Sequence, residues 1–332
     1  MKQADDSENE GRNEPMSKFV HSKQKSNARS GRTLLKQNVQ DNISYWLYML
    51  PWLVVIFLFR YLPMFGEIIA FQDYKGGDLI GPHTKWVGFK WFLEFFDSFY
   101  FERIIRNTLT LSLMNLFMGF WVPIAFALLL NELRFKKLKN VIQTLSYMPY
   151  FISSVIVASM FLGYISDTGI IVKVLSWFGI EVSALNTNKE FFPWYYTFMN
   201  VWKSFGWNSI LYLSTITSID PGLYEAAELD GAGRWKRMWH VTLPHMKPII
   251  MIQLIFAVGN LLASNTEMML LMYNPSIYET TDVIGTYMYR DGLIGGRFSY
   301  GAAAGLVMSA LGFALTYVAN KISAKAADFS LW

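Results

Sequence analysis

Glu225-Ala226-Ala227-Glu228-Leu229-Asp230-Gly231, followed nine residues later by Val241-Thr242-Leu243-Pro244, is the stretch whose reading decides the fold. It is a polar island between two long apolar runs. Glu225 to Asp230 is rich in helix formers, and its two alanines put small side chains on one face. Gly231 is where such a helix ends, because glycine takes the left-handed cap conformation at little cost. A second helix is expected from near Gly233, with Trp235, Met238 and Trp239 at i, i+3, i+4 spacing as one apolar stripe. Pro244 and Pro248 bracket the entry to the next apolar run, where proline is tolerated in a first turn. The sequence therefore predicts two short helices with a break between them over residues 219–247.

The apolar runs on either side are membrane-sized. Six are visible, at about Tyr45 to Leu62, Asn107 to Leu130, Val141 to Ile165, Trp194 to Ser218, Ile249 to Met272 and Gly301 to Ile322. Each is near the ~20 residues a spanning helix needs, and continuous rather than alternating, which disfavours a β-barrel. Composition agrees. Of 332 residues, 53% are hydrophobic and only 16% charged, against about 25% charged in a soluble domain. Aromatics reach 17%, which suits interfacial belts. The expected fold class is all-α, a polytopic membrane protein with six transmembrane helices.

Other chemistries lack their residues. The chain has no cysteine, and His21, His83, His240 and His245 show no metal-ligand spacing. No Gly-x-x-x-x-Gly-Lys-Ser/Thr phosphate loop occurs, so ATP is not hydrolysed here by that device, and neither a metal nor a catalytic residue is expected. Residues 1–42 are polar, acidic first (Asp5 to Glu14) and then basic (Lys18 to Lys36), and are expected to be a disordered tail ahead of the membrane domain at 43–332. The segment from Pro63 to Arg106 has turn signals at Gly76-Gly77, Gly81-Pro82 and Gly88.

Orientation follows from the short loops. Arg134, Lys136, Lys137 and Lys139 lie between the second and third runs, which makes that loop cytoplasmic. Counting along the chain puts both termini and the Glu-Ala-Ala island in the cytoplasm as well. The loop between the third and fourth runs has Lys173 and Lys189 against Asp167, Glu181 and Glu190, with no positive excess.

Glu-Ala-Ala, three residues, Gly, nine residues, then aliphatic-x-Leu-Pro resembles the coupling-loop motif of bacterial ABC importer permeases, with Val241 where isoleucine is commoner. The likeness extends over most of 43–332, in Phe59-Arg60-Tyr61-Leu62-Pro63-Met64, Ala70-Phe71-Gln72-Asp73-Tyr74, Arg106-Asn107-Thr108-Leu109, Leu128-Leu129-Leu130-Asn131-Glu132, Val201-Trp202-Lys203, Leu271-Met272-Tyr273-Asn274-Pro275 and Leu331-Trp332. The chain is similar to permeases of the carbohydrate-uptake-1 class, and especially to the branch importing oligosaccharides derived from polysaccharides. The resemblance implies a type I ABC importer fold and a place in the bacterial plasma membrane. It also implies a second homologous permease, two ATPase subunits that hold ATP and Mg, and an external solute-binding protein. No cofactor on this chain and no nucleic acid are expected. On this reading Glu225, Ala226, Ala227, Asp230, Gly231, Leu243 and Pro244 form a cytoplasmic helix-turn-helix docked on the ATPase. Glu225 accepts charge-assisted bonds there, and Gly231 sets the angle between the two helices.

A transport path needs polar groups facing it, and polar residues inside spans are costly enough to be placed for a reason. Asn200, Lys203, Ser204 and Asn208 fall on roughly one side of the fourth run, and Asn260, Ser264 and Glu267 on one side of the fifth, with Asn265 nearby. Trp202, Trp207 and Tyr212 are close to the first group and could lie against sugar faces. Helix-helix contacts would use the same residue types, and Lys203 could instead pair with Glu267. The loop from Tyr273 to Tyr300 is expected outside and long; the resemblance implies that external loops dock the solute-binding protein, and a packed surface loop is the alternative. Two alternatives stay open: a permease for glycerol phosphate or peptides, and a stand-alone secondary transporter, which would carry internal repeats that are not evident.

Overall fold

The computed structural model describes residues 43–77, 83–180, 182, 185–262 and 266–327. The expected disordered tail, the Gly81-Pro82 turn, Ser264, Asn265 and the terminal Leu331-Trp332 lie outside them. Among the described residues the chain is helical, with one antiparallel bridge between Gln72 and Trp86. It divides into two compact units, residues 1–66 and 67–332. The described residues of the first, 43–66, belong to α1 (Ile43–Phe71), whose last residues are counted with the second. Residues 43–65 are all exposed.

The second unit continues with α2 (Lys90–Phe96), α3 (Phe101–Asn131), α4 (Lys136–Tyr147), α5 (Ser154–Tyr164), α6 (Ile170–Trp177), α7 (Phe191–Thr217) and α8 (Pro221–Leu229). Then come α9 (Arg234–Gly259), α10 (Thr266–Met272), α11 (Tyr278–Thr281), α12 (Ile284–Tyr287) and α13 (Phe298–Ala327). Among the described residues four helices are long and apolar enough to cross a membrane: α1, α3, α9 and α13. The pieces Lys136–Phe151 and Ser154–Tyr164 would together make a fifth, but they meet at 100°.

The third apolar run is therefore not a straight helix. Pro149 sits in a tight 3₁₀ turn, and the Ser153 hydroxyl accepts from the Val155 amide at 3.3 Å to start α5 afresh. The fourth run is α7, which has the length at 27 residues but a diluted hydropathy. Its place explains why. α7 is central, with Phe192, Tyr196, Met199, Val201, Leu213 and Ile216 among its buried residues, so one side of it faces protein, while Trp194, Phe198 and Leu211 stay exposed on the other. It contributes to one core with α5 and α10, around Val157, Phe161, Met199 and Met268, and to a second with α3 and α9, around Ile124, Leu213 and Met246. A third core joins α2, α3, α12 and α13 through Phe95, Ile104, Tyr287 and Ala304.

The fifth run is displaced. The sequence predicts a helix over 249–272, whereas α9 begins at Arg234 and ends at Gly259, with Asn260 as its cap. Its 26 residues extend about 39 Å at the usual rise, already more than the ~30 Å of a bilayer core. Pro244 does not break it. A π-turn over Met238–Thr242 widens the helix by one residue per turn, and the Leu243 amide reaches back to the Met238 carbonyl. Asn260 and Glu267 thus stand on different helices, not on one helical side.

α4 approaches α7 very closely. A Cβ built on Gly206 would sit 2.0 Å from the Ser146 carbonyl oxygen, a backbone atom that cannot turn away. Small residues make such approaches possible between membrane helices. Gly206→Leu is expected to separate the two helices and reduce the folded protein recovered in mild detergent several-fold, as read by fluorescence-detected size exclusion; recovery equal to the parent would show that the contact is dispensable.

Candidate functional site

The polar island folds as a hairpin of α8 and the start of α9. Asp220 caps α8 by accepting from the Gly222 amide at 2.9 Å, with Pro221 in the first turn. The end of α8 is closed by two reversed bonds: Gly231 N–H to Glu228 C=O at 3.0 Å and Ala232 N–H to Ala227 C=O at 2.9 Å. That is the Schellman arrangement, and it requires the φ of +74° that Gly231 adopts. Two side-chain links then hold α8 against α9. The Tyr224 and Thr242 hydroxyls lie 2.9 Å apart, and Arg237 meets Glu228 at 2.6 Å. The second helix of the island is thus the first part of a helix that runs on to Gly259.

Glu225, Ala226, Asp230, Gly231 and Pro244 are exposed, and Ala227 and Leu243 are half-buried. Ala227 lines a recess with Ala232, Lys236, Arg237, His240 and Val241. On the same hairpin three large apolar side chains stand in the open, Leu229 at 89%, Trp235 at 66% and Trp239 at 60% exposure.

A cavity of about 460 Å³ lies between α3, α7 and α9, within the size range of small-molecule sites. Asn200, Asn208, Tyr212 and Asn260, all expected on the path, line it, together with Ser204. Lys203 and Glu267 do not. Lys203 points away and donates to the Ser154 hydroxyl at 3.0 Å, and no ion pair joins it to Glu267, which is exposed. Trp207 stacks on Tyr150 at 4.6 Å between centroids, and Trp202 packs against Phe161. Four polar cavity residues escape sequence reasoning: Ser112 and Asn115 of α3, Tyr196 of α7 and Gln253 of α9. A solitary amide inside an apolar run was the available signal for Asn115 and Gln253.

The segment from Tyr273 to Tyr300 is not a long open loop. It is a chain of short helical turns built around Asp282, whose side chain is wholly buried. Arg290 forks onto it, Nη1 to Oδ1 at 3.1 Å and Nη2 to Oδ2 at 2.9 Å, and Arg103 of α3 reaches Oδ2 at 2.8 Å. The Thr286 hydroxyl donates to Oδ1 at 3.1 Å, and Asn107 donates to the Asp282 carbonyl at 3.1 Å. Burial by itself would lower the Arg290 pKa, but the hydrogen bond and charge of Asp282 outweigh it and raise the pKa above its ordinary value. On the surface nearby, Lys189 holds the Glu279 carboxyl below its usual range through a hydrogen bond and its charge. The Glu279 pair therefore acts above the unfolded carboxylate pKa and is lost as pH falls through the folded one.

An all-helical unit with several membrane-sized apolar helices, one of which runs from an exposed polar hairpin to a central cavity, is the architecture of a transport permease. Residues 119–328 match the family described as binding-protein-dependent transport system inner membrane component, and the chain belongs to that family. It is a multi-pass membrane protein. It is 40% identical to the polygalacturonan/rhamnogalacturonan transport system permease protein YteP of Bacillus subtilis (strain 168), over 89% of this chain and 91% of that one. It is also 40% identical to Protein LplB of the same organism, over 84% and 89%. Among solved structures it resembles a chain of a bacterial ABC transporter involved in the import of the acidic polysaccharide alginate. That match has a TM-score of 0.81 and 37% identity, and covers 88% of this chain and 99% of the other. The same values of 0.81 and 37% hold for the alginate transporter in complex with alginate pentasaccharide-bound periplasmic protein.

Proposed function

We propose that this chain is a permease subunit of an ATP-driven, binding-protein-dependent ABC importer and forms part of the path for an oligosaccharide released from a polysaccharide. The observation that carries the reading is mechanical. α9 is one helix from Arg234 to Gly259, and it joins the hairpin at Trp235–Thr242 to the cavity at Gln253, Phe256 and Asn260. From Met238 to Gln253 that is about 22 Å of continuous helix. A displacement of the hairpin by an ATPase subunit reaches the path without crossing a flexible joint. Alternating access follows when partners bind the inward-open and outward-open states with different affinities.

The assembly this requires has a second permease, two ATPase subunits that bind ATP and Mg, and an external solute-binding protein. The bacterial plasma membrane is the site. The arrangement has six spans, with α7 and the bent α4–α5 pair completing the four apolar helices, and both termini on the cytoplasmic side with the hairpin. Support for a sugar comes from amides and aromatic rings in the cavity and from the relatives named above. Among the described residues the cavity lining includes no cation for a phosphate ester.

The test is reconstitution of the complex that co-purifies with this chain, followed by ATPase and uptake measurements with and without sugar-loaded binding protein. Stimulated hydrolysis and uptake that needs ATP are expected. Solute exchange by this chain alone, without ATP, would overturn the reading. In the same assay Asn208→Phe, which fills the cavity from α7, is expected to cut uptake at least tenfold while the complex still assembles.

A further inference from the structure

The chemistry of the same cavity's lining carries an inference that rests on the reading of the cavity as path. Five primary amides from three helices line it: Asn115 of α3, Asn200 and Asn208 of α7, Gln253 of α9 and Asn260 at its end. No Lys, Arg, His, Asp or Glu is among the described residues of the lining. The one cation within a turn of these amides on α7, Lys203, is engaged with Ser154 outside it.

The amides are oriented for use. Asn115 and Asn260 each donate one N–H to the carbonyl four residues earlier, at 2.8 and 2.9 Å. That bond fixes the amide plane and leaves a second N–H and the carbonyl oxygen of each without a bond among the described residues. The Asn208 and Gln253 side chains make no hydrogen bond to any described residue. A primary amide offers two donors and an acceptor, which is the complement a pair of neighbouring sugar hydroxyls also needs. A carboxylate is an acceptor only, and its strong partners are arginine and lysine. Brought against an uncharged wall inside a bilayer, it keeps most of its desolvation cost.

We propose that this chain's wall of the path reads sugar hydroxyls through Asn115, Asn208 and Gln253, and contributes nothing to the recognition of uronate carboxylates. Discrimination between acidic and neutral fragments is then made by the partners of this chain, not by the chain itself.

The test uses trigalacturonate and its carboxyl-reduced neutral counterpart, which share length, linkage and ring hydroxyls. Binding of each to the complete complex in lipid nanodiscs is measured by titration calorimetry, for the parent and for variants of this chain. Asn115→Leu and Gln253→Leu are each expected to weaken the two sugars by the same factor, about fivefold for a lost hydrogen bond. Gln253→Lys is expected to tighten the uronate alone, a gain that misfolding cannot imitate. A loss confined to the uronate would overturn the proposal, because the amides would then be carboxylate ligands. So would no loss in either sugar, or no binding of either to the parent. ATP-driven uptake by the same parent complex in proteoliposomes separates the two readings. If it proceeds while the losses fall on the uronate alone, the importer stands and the hydroxyl assignment falls; if no sugar is taken up with ATP, the importer reading falls.

Discussion

Gly231→Val is expected to abolish ATP-driven uptake, by tenfold or more, while the complex stays assembled in the membrane at its normal level. The cause is local. Gly231 holds φ at +74°, and a Cβ built on it meets nothing within 4 Å. The substitution therefore collides with no side chain of this protein; its whole cost is conformational. Left-handed backbone costs an L-residue about 1–2 kcal/mol, and for a β-branched one it is a true outlier. The alternative to bearing that cost is to give up the two reversed bonds from Gly231 to Glu228 and from Ala232 to Ala227. α8 then leaves α9 at another angle, and the Tyr224–Thr242 contact of 2.9 Å and the Glu228–Arg237 pair of 2.6 Å are lost with it. The melting midpoint of the membrane domain should stay unchanged, since the hairpin buries little. What changes is the stimulation of ATPase activity by loaded binding protein. A series separates the possible causes. Asparagine tolerates the left-handed region, so Gly231→Asn should keep most of the uptake, Gly231→Ala less, and Gly231→Val almost none. An asparagine variant as inactive as the valine one would move the cause from backbone conformation to a contact with the ATPase. Normal uptake by the valine variant would refute the coupling role of the turn.

The hairpin was legible because its signals are local: helix formers, a glycine at the cap position, and a second helix beginning near Gly233. α3 and α13 were legible too, from unbroken apolar runs. The failures have physical causes of a different range. Nothing near Pro244 says that a π-turn will absorb it, so α9 starts fifteen residues before the expected Ile249. The 100° bend before Ser154 hangs on a 3₁₀ turn within an apolar run that reads as continuous. Asn260 and Glu267 share a helical side only if the helix continues past Gly259, and it does not. Polar lining was half legible. Asn200, Asn208, Tyr212 and Asn260 reach the cavity, whereas Lys203, one residue from Ser204, turns to Ser154. Periodicity gives the side of a helix to within about 100° per residue, which is too coarse to decide between positions 203 and 204. Least legible of all was the order in residues 273–300, because its organiser is paired across 179 positions of sequence, Arg103 with Asp282.

That pairing gives the second large expected effect. Asp282→Ala should lower the folded protein recovered from membranes several-fold and lower its melting midpoint, before any question of transport arises. Asp282 is wholly buried, while Arg103 and Arg290 are 27% and 29% exposed at their side chains. Removing the carboxylate leaves two partly buried guanidinium groups facing each other with no counter-ion. Breaking a buried pair by deleting one partner costs about 3–5 kcal/mol, and the loss here includes the Thr286 bond at 3.1 Å that anchors α12. Asp282→Asn keeps the shape and an acceptor but not the charge, and should be milder. The decisive comparison is the triple variant Asp282→Leu, Arg103→Met, Arg290→Met. Buried ion clusters are often replaceable by apolar groups of similar volume at little cost, so the triple variant should recover much of the stability that Asp282→Ala loses. If Asp282→Ala melts and accumulates like the parent, the network does not organise this segment. If the triple variant is worse than the single one, the arginines hold the segment by contacts other than the carboxylate, among them the Tyr273 hydroxyl at Arg290 and the rings of Tyr100, Tyr278 and Tyr287 at 4.9 to 5.7 Å. Set beside Gly231→Val, this variant completes a dissociation: one change uncouples a folded protein, and the other unfolds it.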